Sequence, residues 1–418
     1  MEMGRRVRVY VLMFLLAAIN YIDRSALSVA AGPLSQEFHL NAVQMGYLFS
    51  SFLWLYVICL VPMGWIVDRL GARTVNAAGI AVWSGATVLT GLVGSFGTLL
   101  ATRVLMGAGE ATTYPAAGQV VRQWVPARER ALFTTIFNSG AYFGPAVGSL
   151  TLAALIGFAG WRSSFYVCGA LGFVWLAAWL AWFRNPAEAS WLGAEERAML
   201  LRDCDAAGPA AESRRSVGLL RLLRSPAMIG LMLTQGCGVY TQYLFLTWLP
   251  TYLQAERGIS MAKSGWLTSL PYFGAVVLTV LLGRISDSRL SPEAVQSGGR
   301  RHMVAGMMLV ASAILLAPLI TNVYLILLLI MVALSGVATT IGLNIALLSD
   351  LLRSAGDAGR ATGLLILGGN IFGILAPIVT GYVVQSTGNY DYAFVVAGAL
   401  LLCGALSALL LTRHPIAG

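Results

Sequence analysis

Charged residues are scarce in this sequence of 418 residues: only 11% are charged, whereas 58% are hydrophobic. Soluble globular chains carry about 25% charged residues. The shortage excludes an ordinary soluble enzyme, a disordered tail protein and a nucleic-acid binder. Because so few charges are present, the formal net charge of +9 is less informative than the positions of the charges.

Histidines and paired cysteines are also few. The chain has three histidines and five cysteines, an odd number, and their spacing matches neither a disulfide framework nor a metal motif. No nucleophile is grouped with a base in the pattern of a catalytic site. We therefore expect no enzyme activity, no metal and no cofactor.

Long apolar runs dominate the chain instead, and a helix needs about 20 apolar residues to cross a bilayer. The N-terminal run continues past the length of a signal peptide, so we expect a retained first span. Twelve runs of this kind predict transmembrane helices near 8–31, 43–66, 74–96, 98–121, 131–156, 162–183, 226–253, 262–284, 302–320, 323–349, 361–385 and 391–412.

The basic residues are distributed unevenly around these predicted spans. Two arginines fall within spans, and three basic residues (Arg162, Arg257 and Lys263) fall outside or near the outer face. The other 22 of the 27 Lys and Arg residues fall on the opposite side, with both termini and the polar segment 185–224. Under the positive-inside rule this side is cytoplasmic.

The two halves of the chain also repeat each other. Gly64-x-x-x-Asp68-Arg69-x-Gly71-x-Arg73 follows the second span, and Gly283-x-x-x-Asp287-x-Arg289 follows the eighth. In the fifth and eleventh spans, Asn138 and Asn370 each lie seven residues before a proline. Internal repeats of this kind are typical of transporters.

The segment Gly64–Arg73 resembles the signature loop between helices 2 and 3 of the major facilitator superfamily. Asn20-Tyr21-Ile22-Asp23-Arg24, Arg103-x-x-x-Gly107-x-Gly109-Glu110-Ala111 and Phe245-Leu246-Thr247-Trp248-Leu249-Pro250 resemble motifs of its anion:cation symporter family. That family includes bacterial sugar-acid transporters and animal sialic-acid and vesicular glutamate transporters.

The resemblance implies an all-α membrane protein with the major facilitator fold. Its 12 transmembrane helices would form two pseudo-symmetric six-helix bundles, residues 1–184 and 225–418, joined by a cytoplasmic linker at 185–224. It also implies a multi-pass protein of the bacterial inner membrane that works as a monomer.

Four charged residues, Asp23, Arg24, Arg103 and Glu110, lie well inside apolar runs. A charge at the bilayer centre costs at least about 2.5–3.5 kcal/mol, so such residues usually face the bundle interior, pair and serve function. Arg103 and Glu110 share a helix face two turns apart, whereas Asp23 and Arg24 project about 100° apart. One arrangement pairs Asp23 with Arg103 and Arg24 with Glu110; a purely structural salt bridge is the alternative.

These residue types suit proton-coupled import of an organic anion. A guanidinium binds a carboxylate through two parallel hydrogen bonds and keeps its proton, so we predict Arg24 as the anion anchor. A carboxyl that alternates between burial and an arginine partner can load and release a proton. We therefore predict Asp23 and Glu110 as proton carriers tuned by Arg103, with the proton as coupling ion. The resemblance implies the same roles.

Polar residues within the spans are candidates for binding a hydroxylated substrate, most simply a sugar acid such as galactonate or glucarate. Tyrosines can also be interface anchors, and asparagines can simply join two helices. The predicted substrate contacts are Tyr21, Tyr56, Gln235, Asn370, Asn138 and Asn344. Gln235 and Asn370 are included because they match substrate contacts of the family.

Charged residues at the cytoplasmic edge form a further group. The resemblance implies a gate latch here, and the alternative is a solvated loop that obeys the positive-inside rule. The predicted gating residues are Asp68, Arg69, Arg73, Asp287 and Arg289.

Three other functions remain open at this stage. In the superfamily, the glycines of Gly140-x-x-x-Gly144-Pro145-x-x-Gly148 are best known from antiporters, so an organic-anion exchanger and a drug/proton antiporter remain alternatives to symport. A transport-inactive membrane sensor belongs to a different class, and we expect it to show no saturable substrate exchange. The expected partners are a small organic anion and membrane lipids, with no nucleic acid.

Overall fold

The computed structural model describes residues 6–126, 129–189, 191–193, 196–200, 219–289, 298–352 and 357–416. These residues fold into helices joined by short connections. In the N-terminal half the helices are α1 (Val7–Val29), α2 (Ala31–Phe38), α3 (Ala42–Leu70), α4 (Ala72–Thr90), α5 (Phe96–Glu110), α6 (Thr113–Trp124), α7 (Arg130–Ala159) and α8 (Trp161–Trp182).

The C-terminal half is built in the same way from long helices. It contains α9 (Leu219–Leu223), α10 (Pro226–Ala255), α11 (Met261–Arg289), α12 (Gly299–Ala311) with a 3-10 continuation (Ser312–Leu319), α13 (Val323–Leu351), α14 (Ala358–Thr387) and α15 (Asp391–Leu411).

All twelve predicted spans lie on these helices. Within the described ranges, nine segments are both long and apolar enough to cross a membrane. The spans predicted near 74–96, 98–121 and 226–253 are not among the nine. The first and last lie on α4 and α10, which carry polar residues, and the middle one is divided into two short helices.

That division corrects the sequence prediction of one continuous helix at 98–121. α5 ends at Glu110 and α6 begins at Thr113. Pro115 lacks the N–H that would bond to the carbonyl of Ala111, four residues before it, so the helical ladder is interrupted at this point. The span predicted at 302–320 likewise changes from an α-helix to a 3-10 helix after Ala311.

Contacts between residues divide the chain into two compact units. One comprises Met1–Phe38 with Ser51–Ala210, and the other comprises His39–Ser50 with Ala211–Gly418. The beginning of α3 therefore belongs to the second unit, where the hydroxyls of Tyr47 and Tyr382 lie 3.3 Å apart. The boundaries 1–184 and 225–418 stay a prediction.

Part of the predicted linker packs on the first unit. The ring of Trp191 stacks on Trp124 with centroids 5.2 Å apart, and Leu192 and Leu200 lie in the core of that unit. Residues 196–200 of the linker are helical.

Glycines set the distance between α1 and α7 in the first unit. A Cβ added at Gly140 would lie 2.7 Å from the Cβ of Ala17, and one at Gly144 would lie 2.5 Å from the carbonyl oxygen of Ala18. Only glycine permits so close an approach. The glycine motif of the fifth span therefore packs α7 closely against α1.

A second close approach joins α5 to α3. A Cβ at Gly107 would lie 1.8 Å from the carbonyl oxygen of Phe52, which belongs to the backbone and has little freedom to move. Gly109 on the same helix packs against Gly79 and Trp83 of α4. These contacts fix the C-terminal end of α5 within the unit.

An ion pair joins the end of α2 to the start of α8. Glu37 accepts hydrogen bonds from Arg162 at 2.6 and 2.9 Å and from the indole N–H of Trp161 at 2.7 Å. The hydrogen bonds from Arg162, and then that from Trp161, hold the pKa of Glu37 below its usual range.

Gly107→Ala is expected to lower the thermal stability of the purified protein, because overpacking costs about 1–3 kcal/mol. Gly85→Ala is the matched control, since a Cβ at Gly85 meets nothing within 4 Å and alanine favours helix. Melting temperatures in detergent test the difference; an equal effect of the two variants would contradict the packing.

Glu37→Gln is expected to destabilise the protein at pH 7 by at most about 1 kcal/mol, because both partners are partly exposed. A lowered pKa gives stability that is present above the unfolded-state pKa and is lost as pH falls through the folded-state pKa. The melting-temperature difference from wild type should therefore shrink with acidification toward pH 4. A difference that stays constant would show that the carboxylate charge has no role.

Candidate functional site

A buried ion pair lies at the centre of the first unit. The guanidinium of Arg24 on α1 donates from Nε to Oε2 of Glu110 on α5 at 2.9 Å, and its Nη2 atom lies 2.8 Å from the same oxygen. The side chains are 3% and 0% exposed. The structure thus contains one of the two ion pairs considered from the sequence.

Aromatic rings surround the cation of this pair. The guanidinium carbon of Arg24 lies 4.6 Å from the ring centre of Tyr21, 4.7 Å from that of Phe52 and 5.4 Å from that of Tyr56. Such contacts attract a cation, most strongly where water is excluded. They place two predicted substrate residues, Tyr21 and Tyr56, beside the predicted anion anchor.

Helical spacing brings the rings to this position. Tyr21 precedes Arg24 by nearly one turn of α1, and Phe52 precedes Tyr56 by four residues on α3, so each pair shares a helix face. The close contact of Gly107 with the backbone of Phe52 then brings Glu110, three residues later on α5, against that face.

The two oxygens of Glu110 have different surroundings. Oε2 receives both contacts from Arg24, whereas Oε1 is buried without a hydrogen bond among the described residues. Asn20, one turn before Arg24 on α1, interacts with the Glu110 side chain but does not meet hydrogen-bond geometry. The contacts therefore leave one carboxyl oxygen available to take a proton.

The predicted pairing of Asp23 with Arg103 is wrong as a contact. Both are buried and they interact electrostatically, but no salt bridge joins them in the described part of the chain. Asp23 and Arg24 diverge around α1, so Asp23 faces the indole N–H of Trp83 on α4 and the thiol of Cys168 on α8. Neither neighbour meets hydrogen-bond geometry with the carboxylate.

The second unit holds a separate polar pair. Asn344 on α13 donates from Nδ2 to Oε1 of Gln235 and to the backbone carbonyl of Leu231, both at 3.0 Å. Both side chains are buried. The structure thus brings together two predicted substrate residues on α10 and α13, in a helix-to-helix hydrogen bond of the kind that was the alternative interpretation.

The two repeated asparagines differ in their surroundings. Asn370 on α14 is half-buried and donates to the carbonyl of Ile366 on its own helix at 3.1 Å. Asn138 on α7 is exposed. Neither position decides whether these residues bind substrate, so both roles stay predictions.

The described residues of the signature loop make three different contacts. Asp68 lies 3.4 Å from Arg122 on α6, in an exposed pair. Arg69 stacks on the ring of Trp65 at 3.6 Å. Arg73 donates to the carbonyls of Leu180 and Phe183 at 2.9 and 3.0 Å and so caps the end of α8.

Asp68 therefore pairs with a residue on another helix, and Arg73 caps the end of a helix. Their gating role stays a prediction. The predicted gating residues Asp287 and Arg289 lie on α11, but their side chains are outside the described part of the structure.

Sequence reasoning missed several neighbours of the charged residues. The spacing of Phe52 and Tyr56 on one face of α3 is a signal that could have identified Phe52. The four-residue spacing of Asn20 and Arg24 could similarly have identified Asn20. No sequence pattern marks Trp83 or Cys168 as neighbours of Asp23, because they lie on two other helices.

The chain thus combines long apolar helices with a buried ion pair whose cation is surrounded by aromatic rings. Ionisable residues buried within membrane spans are typical of transporters. The sequence model described as the Major Facilitator Superfamily matches residues 13–295 and 253–417. The chain belongs to this family, which confirms the resemblance found in the sequence.

Two curated relatives match almost the whole chain. A probable galactarate/D-glucarate transporter of Bacillus subtilis (strain 168) is 33% identical over 412 residues, which cover 96% of this chain and 90% of the relative. A D-galactonate transporter of Escherichia coli O6:H1 is 30% identical over 416 residues, covering 97% and 95%.

A solved structure has the same fold. The bacterial homologue of the human lysosomal transporter Spinster, in an inward-facing and occupied conformation, aligns with a TM-score of 0.74 at 19% identity. The alignment covers 98% of this chain and 97% of that one. The protein is therefore a bacterial multi-pass membrane transporter of the major facilitator fold, and not an enzyme.

Glu110→Ala is expected to destabilise the protein by about 3–5 kcal/mol, because it leaves the buried guanidinium of Arg24 without its carboxylate. The matched control is Asp68→Ala, which breaks an exposed pair and is expected to cost at most about 1 kcal/mol. Thermal unfolding in detergent separates the two; similar losses would show that the buried pair has no special energetic role.

Proposed function

We propose that this protein is a proton-coupled symporter that imports a small organic anion, with a sugar acid such as glucarate or galactonate as substrate. The observation that carries the proposal is the buried Arg24–Glu110 pair. A buried ion pair is a poor source of stability, whereas ionisable residues within membrane spans commonly serve transport.

Arg24 supplies the anion-binding group. Its guanidinium stays charged and suits a carboxylate. In the structure, the carboxylate of Glu110 is bound to this guanidinium. A substrate carboxylate can replace Glu110 as the partner once Glu110 is neutral. Binding of the anion and uptake of a proton are then linked, because the buried cation keeps one negative partner in both states.

Glu110 supplies the proton-binding group. Its Oε1 atom accepts no hydrogen bond within the described chain, so it is the oxygen to which we assign the proton. Asp23 is proposed as a second carrier, because it is buried and interacts electrostatically with Glu110. Arg103 interacts with both acids and is proposed to tune them. The transported proton is the coupling ion, with no cofactor.

The choice of a sugar acid is supported by the relatives, whose names specify galactarate, D-glucarate and D-galactonate. Hydroxyl groups of such a substrate need hydrogen-bonding partners. We assign Tyr21 and Tyr56 to this role in the first unit. In the second unit we assign it to Gln235, Asn344 and Asn370. Asn138 is an additional proposed contact.

The uneven distribution of basic residues supports an inner-membrane location with both termini in the cytoplasm. The signature-loop residues are proposed to regulate access from that side. The glycines of α7 were an argument for antiport, but their close contacts with α1 provide a packing reason for the same pattern.

Uptake of radiolabelled D-glucarate and D-galactonate into proteoliposomes tests the proposal. With wild type, an inwardly directed proton gradient should drive accumulation. Glu110→Gln should reduce this driven uptake at least tenfold, whereas counterflow without a gradient persists, since exchange requires no net proton movement.

Glu256→Gln is the matched control, because it makes the same chemical change at an exposed residue and should leave driven uptake unchanged. Counterflow without any gradient-driven accumulation in wild type would favour an anion exchanger. The absence of saturable counterflow with every organic anion tried would favour a sensor. Driven uptake in Glu110→Gln equal to wild type would overturn the role of Glu110.

A further inference from the structure

An apolar groove lies on the second unit between α10 and α14. It has a volume of about 190 Å³, and no polar group contributes to its lining. α10 supplies Ile229, Met232 and Leu233, α14 supplies Gly368, Ile371 and Phe372, and the short helix α9 adds Leu223 at one end.

Glycines allow the two helices beside this groove to approach each other closely, because they place no side chain between them. A Cβ at Gly236 would lie 2.4 Å from the ring of Phe372, and one at Gly368 would lie 2.9 Å from Met232. Around this contact, Ile229 and Ile371 are more than 40% exposed. The groove is therefore an open apolar surface on helices that cross the membrane.

Two arginines stand beside the α9 end of the groove. Arg221 and Arg224 flank Leu223, and both are exposed. Among the described residues neither side chain has an ion pair or a hydrogen bond. Positive charge is thus concentrated at one end of an otherwise apolar surface.

The two arginines precede the first residue of α10, at the end of this predicted span that the positive-inside rule assigns to the cytoplasmic side. With a rise of 1.5 Å per residue, Ile229 lies roughly 5 Å and Leu233 roughly 10 Å along α10 from its first residue, Pro226. The groove thus begins within about one turn of the predicted cytoplasmic end of α10, and the arginines precede it in the chain.

We propose that this groove and the pair Arg221–Arg224 form a binding site for an anionic phospholipid. An acyl chain lies in the groove between α10 and α14, and the phosphate contacts the two arginines. Charge complementarity selects the occupant: arginine pairs well with phosphate, and basic residues near an anionic membrane surface are attracted to it. The site is separate from the Arg24–Glu110 pair and does not depend on the proposed transport function.

Native mass spectrometry of the purified protein tests the proposal. The protein is mixed in detergent with equal amounts of palmitoyl-oleoyl phosphatidylglycerol and the zwitterionic phosphatidylethanolamine with the same chains. Wild type should retain phosphatidylglycerol at least fivefold more than phosphatidylethanolamine. The double variant Arg221→Gln/Arg224→Gln should bring this ratio close to one.

A second variant tests the groove itself. Leu223→Asn should lower retention of phosphatidylglycerol about threefold, because it puts a polar group in the acyl-chain contact. Leu220→Asn is its control, since Leu220 lies on the same helix, is exposed and does not line the groove. Arg8→Gln/Arg284→Gln removes the same charge from two other exposed positions and should keep the lipid preference of wild type.

The site would be overturned by equal retention of the two lipids by wild type, by an unchanged ratio in Arg221→Gln/Arg224→Gln, or by equal losses in Leu223→Asn and Leu220→Asn. Competition by glycerol 3-phosphate as strong as that by the lipid would also overturn it, because the acyl chain would then contribute nothing. Melting temperatures of all variants confirm that each is folded.

Discussion

The energetic cost of placing a guanidinium and a carboxylate away from water constrains the construction of the first unit. Each ion loses several kcal/mol of hydration on burial, and their attraction offsets this only at contact distance. The separation between α1 and α5 must therefore keep the two side chains in contact. The glycines on α7 and Gly107 on α5 make this possible, because they bring backbones together where a side chain would separate them.

Much of this arrangement could be predicted from the sequence because charge is so rare in it. When only four charged side chains lie well inside the spans, the possible ion pairs are few, and Arg24 with Glu110 was among them. Helix periodicity also placed Tyr21 on the face of Arg24. The existence of the helices followed from the length of the apolar runs, which needs no knowledge of tertiary contacts.

Contacts among three or more helices could not be predicted in the same way. Spacing along one helix shows which residues share a face, but it does not show which neighbouring helix that face meets. The partner of Asp68 is Arg122 on α6, and the surroundings of Asp23 come from α4 and α8. The break after Glu110 was missed because hydropathy averages over a window longer than the two residues that interrupt the helix.

The contact of Arg24 with a single oxygen of Glu110 has a consequence for the order of events in a transport cycle. Because Nε and Nη2 of Arg24 contact the same oxygen, Oε2, a proton can attach to Oε1 while the two side chains are still together. In the proposed proton-coupled cycle, neutralisation then comes first and separation second, so the arginine keeps its hydrogen bonds to Glu110 until that carboxyl is neutral. A bidentate salt bridge, with one guanidinium nitrogen on each oxygen, would reverse the order of these two steps. The pair would then have to open before the carboxyl gained its proton.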